Sequence, residues 1–349
     1  MYFKILNEKM NHFGFQYKEG LNIDTLPFNP KGDCEPGGLY FTDEETIIDY
    51  LYFGTLIANV EIPINAQVYK NKNKWKADRI ILSNIRPVEE FIKTLNIFDT
   101  LKRNGLVLQH VKEQTPELCL IAVKQNEWAL QYVKEQTPAL CVEAVKNDGN
   151  VLCHVKEQTP EICLEAVKQN VNAFCYVKKQ TRLLCILAVI KDGLLLREVQ
   201  EQTPEICLEA VKQNGTALSF VKEQTPEICL EAVKRNSYAL LDVKEQTPEM
   251  CLIAVKRNGM AINYVKEQTP EMCLEAVKQN WHAIQHIKEQ TPELCLIAVK
   301  YAWQTICYVK EQTVELCIEA IKQNSLAYSY VRNPTIKLWL KILKWKLFG

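Results

Sequence analysis

The stretch VKEQTPELCLIAVKQNEWALQY, Val111 to Tyr132, decides the fold. It returns ten times in a row without change of length, ending at Tyr330, and Val, Lys, Glu, Gln and Thr or near equivalents open each copy. A fixed period of 22 residues with no insertion marks repeat architecture. Within one copy, Thr115 suits a helix N-cap, Pro116 the first helical position and Glu117 the positive end of the helix dipole. Leu118, Cys119, Ala122 and Val123 then share one side of a half-buried helix. Lys124 closes it at the negative end, and Asn126 leaves that helix or caps the next. A second helix is expected from Glu127 to about Gln136, burying Ala129, Leu130 and Val133 and stopping ahead of Pro138.

A single unit cannot bury its apolar stripe, so stability must come from stacking on neighbours. The expected fold is an α-solenoid of ten 22-residue helix-turn-helix repeats preceded by a small α+β N-terminal domain. With helices packed 8–10 Å apart, ten copies should extend about 90 Å. Eight copies keep Thr-Pro; Thr181-Arg182 and Thr313-Val314 do not, and caps without the proline should fray more easily. The fourth copy, Val177 to Glu198, departs most, with Lys179 for Glu, Ile190 for Lys and Asp192-Gly193 for Asn-X, which makes it the candidate for a bend or a partner contact.

Fourteen cysteines look like a disulfide framework until their positions are read. Ten recur at one repeat position, from Cys119 and Cys141 through to Cys295 and Cys317. Equivalent residues in stacked helices lie about 9 Å apart, whereas a disulfide needs Cα atoms within about 7 Å. Each Cys shares its stripe with Leu, Ile or Met and with Val or Ile, where a thiol behaves as a small hydrophobe. No histidine accompanies the column, so a metal ladder lacks converging ligands. Such thiol density points to a reducing compartment. Lys plus Arg equals Asp plus Glu, 42 against 42, which argues against a phosphate-tracking surface. The charges alternate inside each copy and are expected to form solvated faces with pairing between repeats.

Outside the array, residues 1–86 read as an α+β domain with strands at Tyr2–Leu6, Phe13–Tyr17, Gly38–Phe41, Thr55–Ile64, Gln67–Tyr69 and Arg79–Leu82. Thr42-Asp43-Glu44-Glu45 reads as a capping box opening a helix through about Phe53. Pro27, Pro30, Gly32, Pro36, Gly37 and Gly38 mark a loop around Cys34, and Lys70–Lys76 reads as a solvated hairpin tip or a basic contact patch. Residues 87–110 form a degenerate capping repeat: Leu101-Lys102-Arg103-Asn104 is in register with Val123-Lys124-Gln125-Asn126. Residues 111–330 are the repeats, and 331–349 an amphipathic capping helix with Lys337, Lys341 and Lys344 on one face. That helix, over 334–348, is also the one segment expected to be able to touch a membrane surface or a partner groove. The start of the chain lacks a signal-peptide pattern, and no run reaches the roughly 18 apolar residues of a membrane span.

Wording such as Ala122-Val123-Lys124-Gln125-Asn126-Glu127-Trp128-Ala129-Leu130-Gln131-Tyr132 resembles helical repeats of unassigned function that abound in giant DNA viruses of amoebae. The phrase AVKQNGWALQYAS is typical there, with a period a few residues longer; Glu135-Gln136-Thr137-Pro138 makes a tighter link here. The opening MYFKILNEKMNHFGFQYKEGLNI, with the segments CEPGGLYFT at Cys34–Thr42 and KADRIIL at Lys76–Leu82, looks like the leader of mimivirus-type ankyrin-repeat proteins. The resemblance implies a viral origin, the cytoplasm of an infected host cell and an interaction role; it implies no catalytic residue and no cofactor.

Between copies, two positions vary while the packing positions stay uniform. One column holds Trp128, Asn150, Asn172, Leu194, Thr216, Tyr238, Met260, His282, Gln304 and Leu326; the other holds Tyr132, His154, Tyr176, Glu198, Phe220, Asp242, Tyr264, His286, Tyr308 and Tyr330. Variation on a fixed scaffold is how solenoids make binding surfaces, and Tyr, Trp and His anchor interfaces. The expectation is a non-enzymatic, monomeric scaffold that binds protein partners of unread identity through these columns. Unconstrained surface drift explains the same variation. A second reading, single-stranded RNA binding, suits the Asn, Gln, Tyr and His side chains and is opposed by the zero net charge. In a third, Gly38-Leu39-Tyr40-Phe41 ahead of a capped helix and a following strand resembles a segment of ADP-ribosyltransferase folds, which implies nucleotide binding in residues 1–86 with His12, Tyr40 and Glu61 as its residues. No HExxH, phosphate loop, CxxC pair or nucleophile elbow occurs.

Overall fold

The computed structural model describes residues 1–12, 14–30 and 35–348, with side chains to residue 345, so Phe13, Gly32 and Cys34 lie outside the described residues. The chain comprises two compact units, Met1–Lys179 and Gln180–Gly349. The strands are β1 Tyr2–Leu6, β2 Asn11–His12, β3 Phe15–Gln16, β4 Gly20–Ile23, β5 Leu39–Asp43, β6 Leu56–Glu61, β7 Val68–Asn71, β8 Lys74–Ala77 and β9 Arg79–Pro87. Seven form one antiparallel sheet in the order β4-β9-β6-β1-β5-β8-β7, while β2 and β3 pair separately. Its core is built on Leu6, Tyr17, Leu39, Phe41, Ala58, Ile80 and Leu82.

Two strands escape the pattern reading. In β4, Asn22 is buried, its side chain bonding to the backbone of Lys18 and Gly20. The charge run Lys70–Lys76 forms the expected hairpin, with an exposed turn at Lys72 and Asn73, but its β8 end is not solvated: Lys76 is buried with Nζ donating to the Glu35 carbonyl at 3.0 Å. The capping box is also overturned. β5 runs on through Asp43, whose Oδ1 accepts from Thr46 N–H at 3.1 Å, and Ile47–Phe53 is a 3-10 helix.

In the repeats the first helix forms as expected, Pro116–Gln125 in the first copy and ten residues long in every other. Thr115 Oγ1 accepts from Leu118 N–H, and Leu118, Cys119, Ala122 and Val123 are buried. Thr181 and Thr313 cap in the same way without proline. The second element is not an α-helix reaching Gln136. It is a 3-10 helix, Glu127–Tyr132, closed by Ala129 N–H on the Asn126 carbonyl and Val133 N–H on the Leu130 carbonyl. Asn126 both ends one helix and caps the next through Oδ1 on Trp128 N–H. The chain leaves helical geometry at Val133 because that side chain is needed in the core, where it is 1% exposed.

Ahead of the first full copy, Val88–Ile92 and Ile97–Arg103 are helical, and Asn104 caps the 3-10 segment Gly105–His110 as Asn126 caps its own. After the last, Ile336–Phe348 is a helix that buries Leu338 and Ile342 and sets Lys341 Nζ 2.9 Å from Glu315. Among the described residues no helix is long and apolar enough to cross a membrane.

Candidate functional site

The frame of the repeats is set by a glutamine that reads as a solvated loop residue. Gln114 Nε2 donates to the carbonyls of Leu108 and Tyr132 at 3.4 and 3.0 Å. Its Oε1 accepts from Lys134 N–H at 2.9 Å and from the Cys119 thiol at 3.9 Å. One side chain therefore joins three successive units. The arrangement recurs with Gln246, which donates to the Leu240 and Tyr264 carbonyls and accepts from Lys266 N–H and Cys251. A lysine ladder runs beside it: Lys134 Nζ donates to the Lys112 carbonyl at 2.6 Å, and Lys266 to that of Lys244 at 2.7 Å. Backbone carbonyls, more than carboxylates, are thus the partners of these lysines across repeats; Glu165–Lys168, Glu209–Lys212 and Glu275–Lys278 pair within a single helix. Identity of Gln and near-identity of Lys in every copy was the signal for both roles.

Against this frame, the two variable columns contribute mainly backbone groups; Thr216, whose Oγ1 also donates to its cap Asn214 at 2.7 Å, is an exception. The first supplies an N–H to its cap, as Trp128, Asn150, Asn172, Tyr238 and His282 do to Asn126, Asp148, Asn170, Asn236 and Asn280. The second supplies a carbonyl to the glutamine, as Tyr132, His154, Tyr176, Tyr264, His286 and Tyr308 do. Any residue provides those groups, so the side chains are released from the fold. They meet across copies: Trp128 packs on His154 at 5.4 Å between ring centroids, Tyr238 on Tyr264 at 5.8 Å and His282 on Tyr308 at 5.9 Å. Tyr176, Tyr238 and Tyr308 are exposed, as is Asn172, and the rest of the predicted set is half-buried. Among the described residues, Tyr132, Asn150, Asn172, Tyr176 and His286 form no such ring pair. Trp281, stacked on His282, and Trp303, near Tyr330, join the surface without having been expected there.

The ten periodic thiols are 2–6% exposed, and burial raises each above the ordinary thiol range, Cys295 to about 11. Cys153 and Cys175 are exposed. Among the described residues no group of three or more His, Cys, Asp or Glu could hold a metal ion. In the sheet domain His12 and Tyr40 line one pocket; Glu61 ends β6 in solvent and is not part of it.

Compared with known proteins, the chain is 39% identical over 128 residues to uncharacterized protein R869 of Acanthamoeba polyphaga mimivirus, covering 89% of that protein and 35% of this chain. The chain belongs to the family of mimivirus R869. The relatives of this R869-family chain include putative ankyrin repeat proteins R229 and R868 of the same virus, 34% and 38% identical over 100 and 97 residues. Those matches cover 24% and 26% of this chain, and 33% and 48% of the two relatives. The domain of unknown function DUF4116 matches at 140–182, 203–246, 225–269 and 247–291. No solved structure matches.

Each DUF4116 match spans about two of the 22-residue units, and the matches at 203–246, 225–269 and 247–291 start one unit apart. Gly105, Gly149, Gly193, Gly215 and Gly259 open 3-10 segments where a Cβ would press on the carbonyl of an alanine in the next unit's helix, Ala166 in the case of Gly149. Four of these glycines donate N–H to a glutamine of that helix, Gly105 to Gln125, Gly149 to Gln169, Gly193 to Gln213 and Gly259 to Gln279, at 2.6–2.8 Å. Pro138–Asn147 and Pro160–Gln169, with Gly149 between them, lie closer along their length than Pro116–Gln125 and Pro138–Asn147, which have Glu127 between them. Close and wide spacings therefore tend to alternate.

Proposed function

We propose that this chain is a non-enzymatic protein-binding scaffold whose partners dock on side chains of the two variable columns, within each compact unit a ridge of their own. The single observation behind this reading is the division of labour at those positions. Backbone groups satisfy the fold, while the side chains of successive copies lean together as Trp128/His154, Tyr238/Tyr264 and His282/Tyr308. Aromatic pairs on a rigid frame present large contact area at little cost in conformational entropy. The kinship with proteins named for ankyrin repeats supports the same role. In this reading residues 87–110 and 331–349 cover the ends of the array at 111–330, and 1–86 is a separate module.

The test compares captures from infected amoeba lysate by the wild-type chain, by Trp128→Asp/Tyr238→Asp/His282→Asp, and by a control changed on the α-helices, Glu143→Lys/Glu231→Lys. Partners lost with the first variant and kept by the second support the ridge. Capture indifferent to all three ridge substitutions rejects it.

A further inference from the structure

The sheet domain contains a pocket that the repeats do not explain. β1 and β5 pair only at Tyr2↔Asp43 and Phe3↔Thr42, and beyond Phe3 the strands part. The gap opens into a cavity of about 240 Å³. Its floor is Phe3, Lys4, Phe41 and Thr42, each 3–5% exposed; its mouth carries His12 and Lys74. Tyr40, Tyr50 and Phe53 add aromatic wall.

Lys4 is the group without a structural account. A lysine enclosed in protein is costly unless a carboxylate neutralises it. Nζ donates to the Tyr40 carbonyl at 2.6 Å and lies 4.3 Å from the centroid of the Tyr17 ring, and no carboxylate among the described residues forms an ion pair with it. A carbonyl and a ring face use one of its three donors and part of its charge. Around it the field is positive as well: burial together with the charges of Lys4 and Lys74 holds His12 below its ordinary range. The nearest acid of β5, Asp43, is occupied by Thr46 and Trp75. Burial itself pulls Lys4 from 10.5 to about 7, so an anion arriving in the cavity would restore its proton.

We infer that this pocket is a binding site for a small planar monocarboxylate, whose anion takes the place of the missing counter-charge on Lys4 while its ring lies between Tyr40, Tyr50 and Phe53. The site is smaller than the roughly 300–1,000 Å³ that drug-sized ligands occupy, which excludes a nucleotide. Lys4 is the one charged side chain on the cavity floor, and a single ammonium there matches the single charge of a carboxylate. The inference is independent of the ridge and stands or falls without it.

Calorimetric titration of the full chain with benzoate, benzamide and benzylamine tests it. Benzoate should bind at millimolar concentration or below, with benzamide at least roughly tenfold weaker and benzylamine weaker still. At pH 8 benzoate binding should take up protons, seen as a heat that changes with the ionisation enthalpy of the buffer. The groups facing the cavity are Lys4, His12, Tyr40, Tyr50 and Lys74, and of these Lys4 and His12 are held below their ordinary ranges, so His12→Gln should retain most of the uptake and Lys4→Met should abolish it. Lys4→Met should also weaken benzoate at least roughly tenfold and leave benzamide unchanged. If Lys4→Met does not fold, the wild-type series decides alone. Equal affinity for benzoate and benzamide, binding by neither, or benzoate binding without proton uptake overturns the proposal.

Discussion

Trp128 and His154 sit 26 residues apart in chain position, yet the indole stands edge-on to the imidazole at 5.4 Å and 76°. The contact joins the first variable column of one copy to the second variable column of the next, so each ridge pair is assembled from two units. A double-mutant cycle of Trp128→Ala and His154→Ala should give a coupling of about 0.5–1.5 kcal/mol in favour of the pair. Coupling indistinguishable from zero would mean the rings are neighbours without being partners.

Gln246 is predicted to matter far more than its half-exposed position suggests. Replacing it with Leu strands the Leu240 and Tyr264 carbonyls and the Lys266 N–H, and should cost about 2 kcal/mol or more locally. Hydrogen exchange at the Lys266 amide is the direct readout, since repeat arrays do not unfold as one two-state body. Unchanged protection there would remove the glutamine from its central role.

Gly149→Ala places a methyl group against the Ala166 carbonyl and should destabilise that junction by about 1–3 kcal/mol. Ser325→Ala, at the same repeat position where a Cβ is already accommodated and the side chain is exposed, should stay within about 0.5 kcal/mol. Thermal melts of the two variants separate the cases, and equal melting temperatures would count against spacing control by glycine.

Thiol chemistry offers a broader check. Under native conditions Cys153 and Cys175 should react with a thiol reagent well before any of the ten periodic cysteines, as mapped by peptide mass spectrometry. Because burial raises the folded thiol pKa values, the folded array holds protons that the unfolded chain releases near pH 9. Stability from this source is complete below that pH and declines as pH rises through the folded values. An array as stable at pH 10 as at pH 7 would contradict buried thiols.

Lys4 has the opposite sign. Its folded pKa of about 7 lies below the ordinary 10.5, so between those values the unfolded chain binds the extra proton and stability rises with pH. The advantage of Lys4→Met over wild type should therefore shrink by roughly 2 kcal/mol from pH 7.5 to 9.5. Exchange of the β1 amides reports it locally, and a constant difference would show that Lys4 keeps an ordinary pKa.

The repeats were legible because their determinants are local. Thr115, Pro116, Cys119 and Asn126 act within one turn of where they stand, and the structure uses each as its chemistry suggests. Gln114 was less so, since its partners lie in the copies on either side and within EQTP nothing distinguishes a bridging amide from a solvated one; only its identity in all ten copies marks it. The length of the second element failed for a related reason: Val133 is drawn into the shared core and Lys134 N–H into the glutamine, which ends the 3-10 turn early. In the sheet domain KWKA and YFKIL hide buried lysines, because a pattern of residue types carries no information on which carbonyl will receive an ammonium.

The pairing of Gly149 with Gln169, and of Gly193 with Gln213, bears on how such a gene changes length. Loss or duplication of one copy sets a glycine beside a helix lacking its glutamine, or a bulky residue against a carbonyl that cannot retreat. Slippage by two copies restores the matches between Gly105 and Gln213; beyond them the phase shifts by one copy at Gly215, whose facing helix carries Arg235 at the glutamine position. Recombination in the 105–213 stretch should therefore leave surviving arrays that differ by steps of 44 residues more often than by 22.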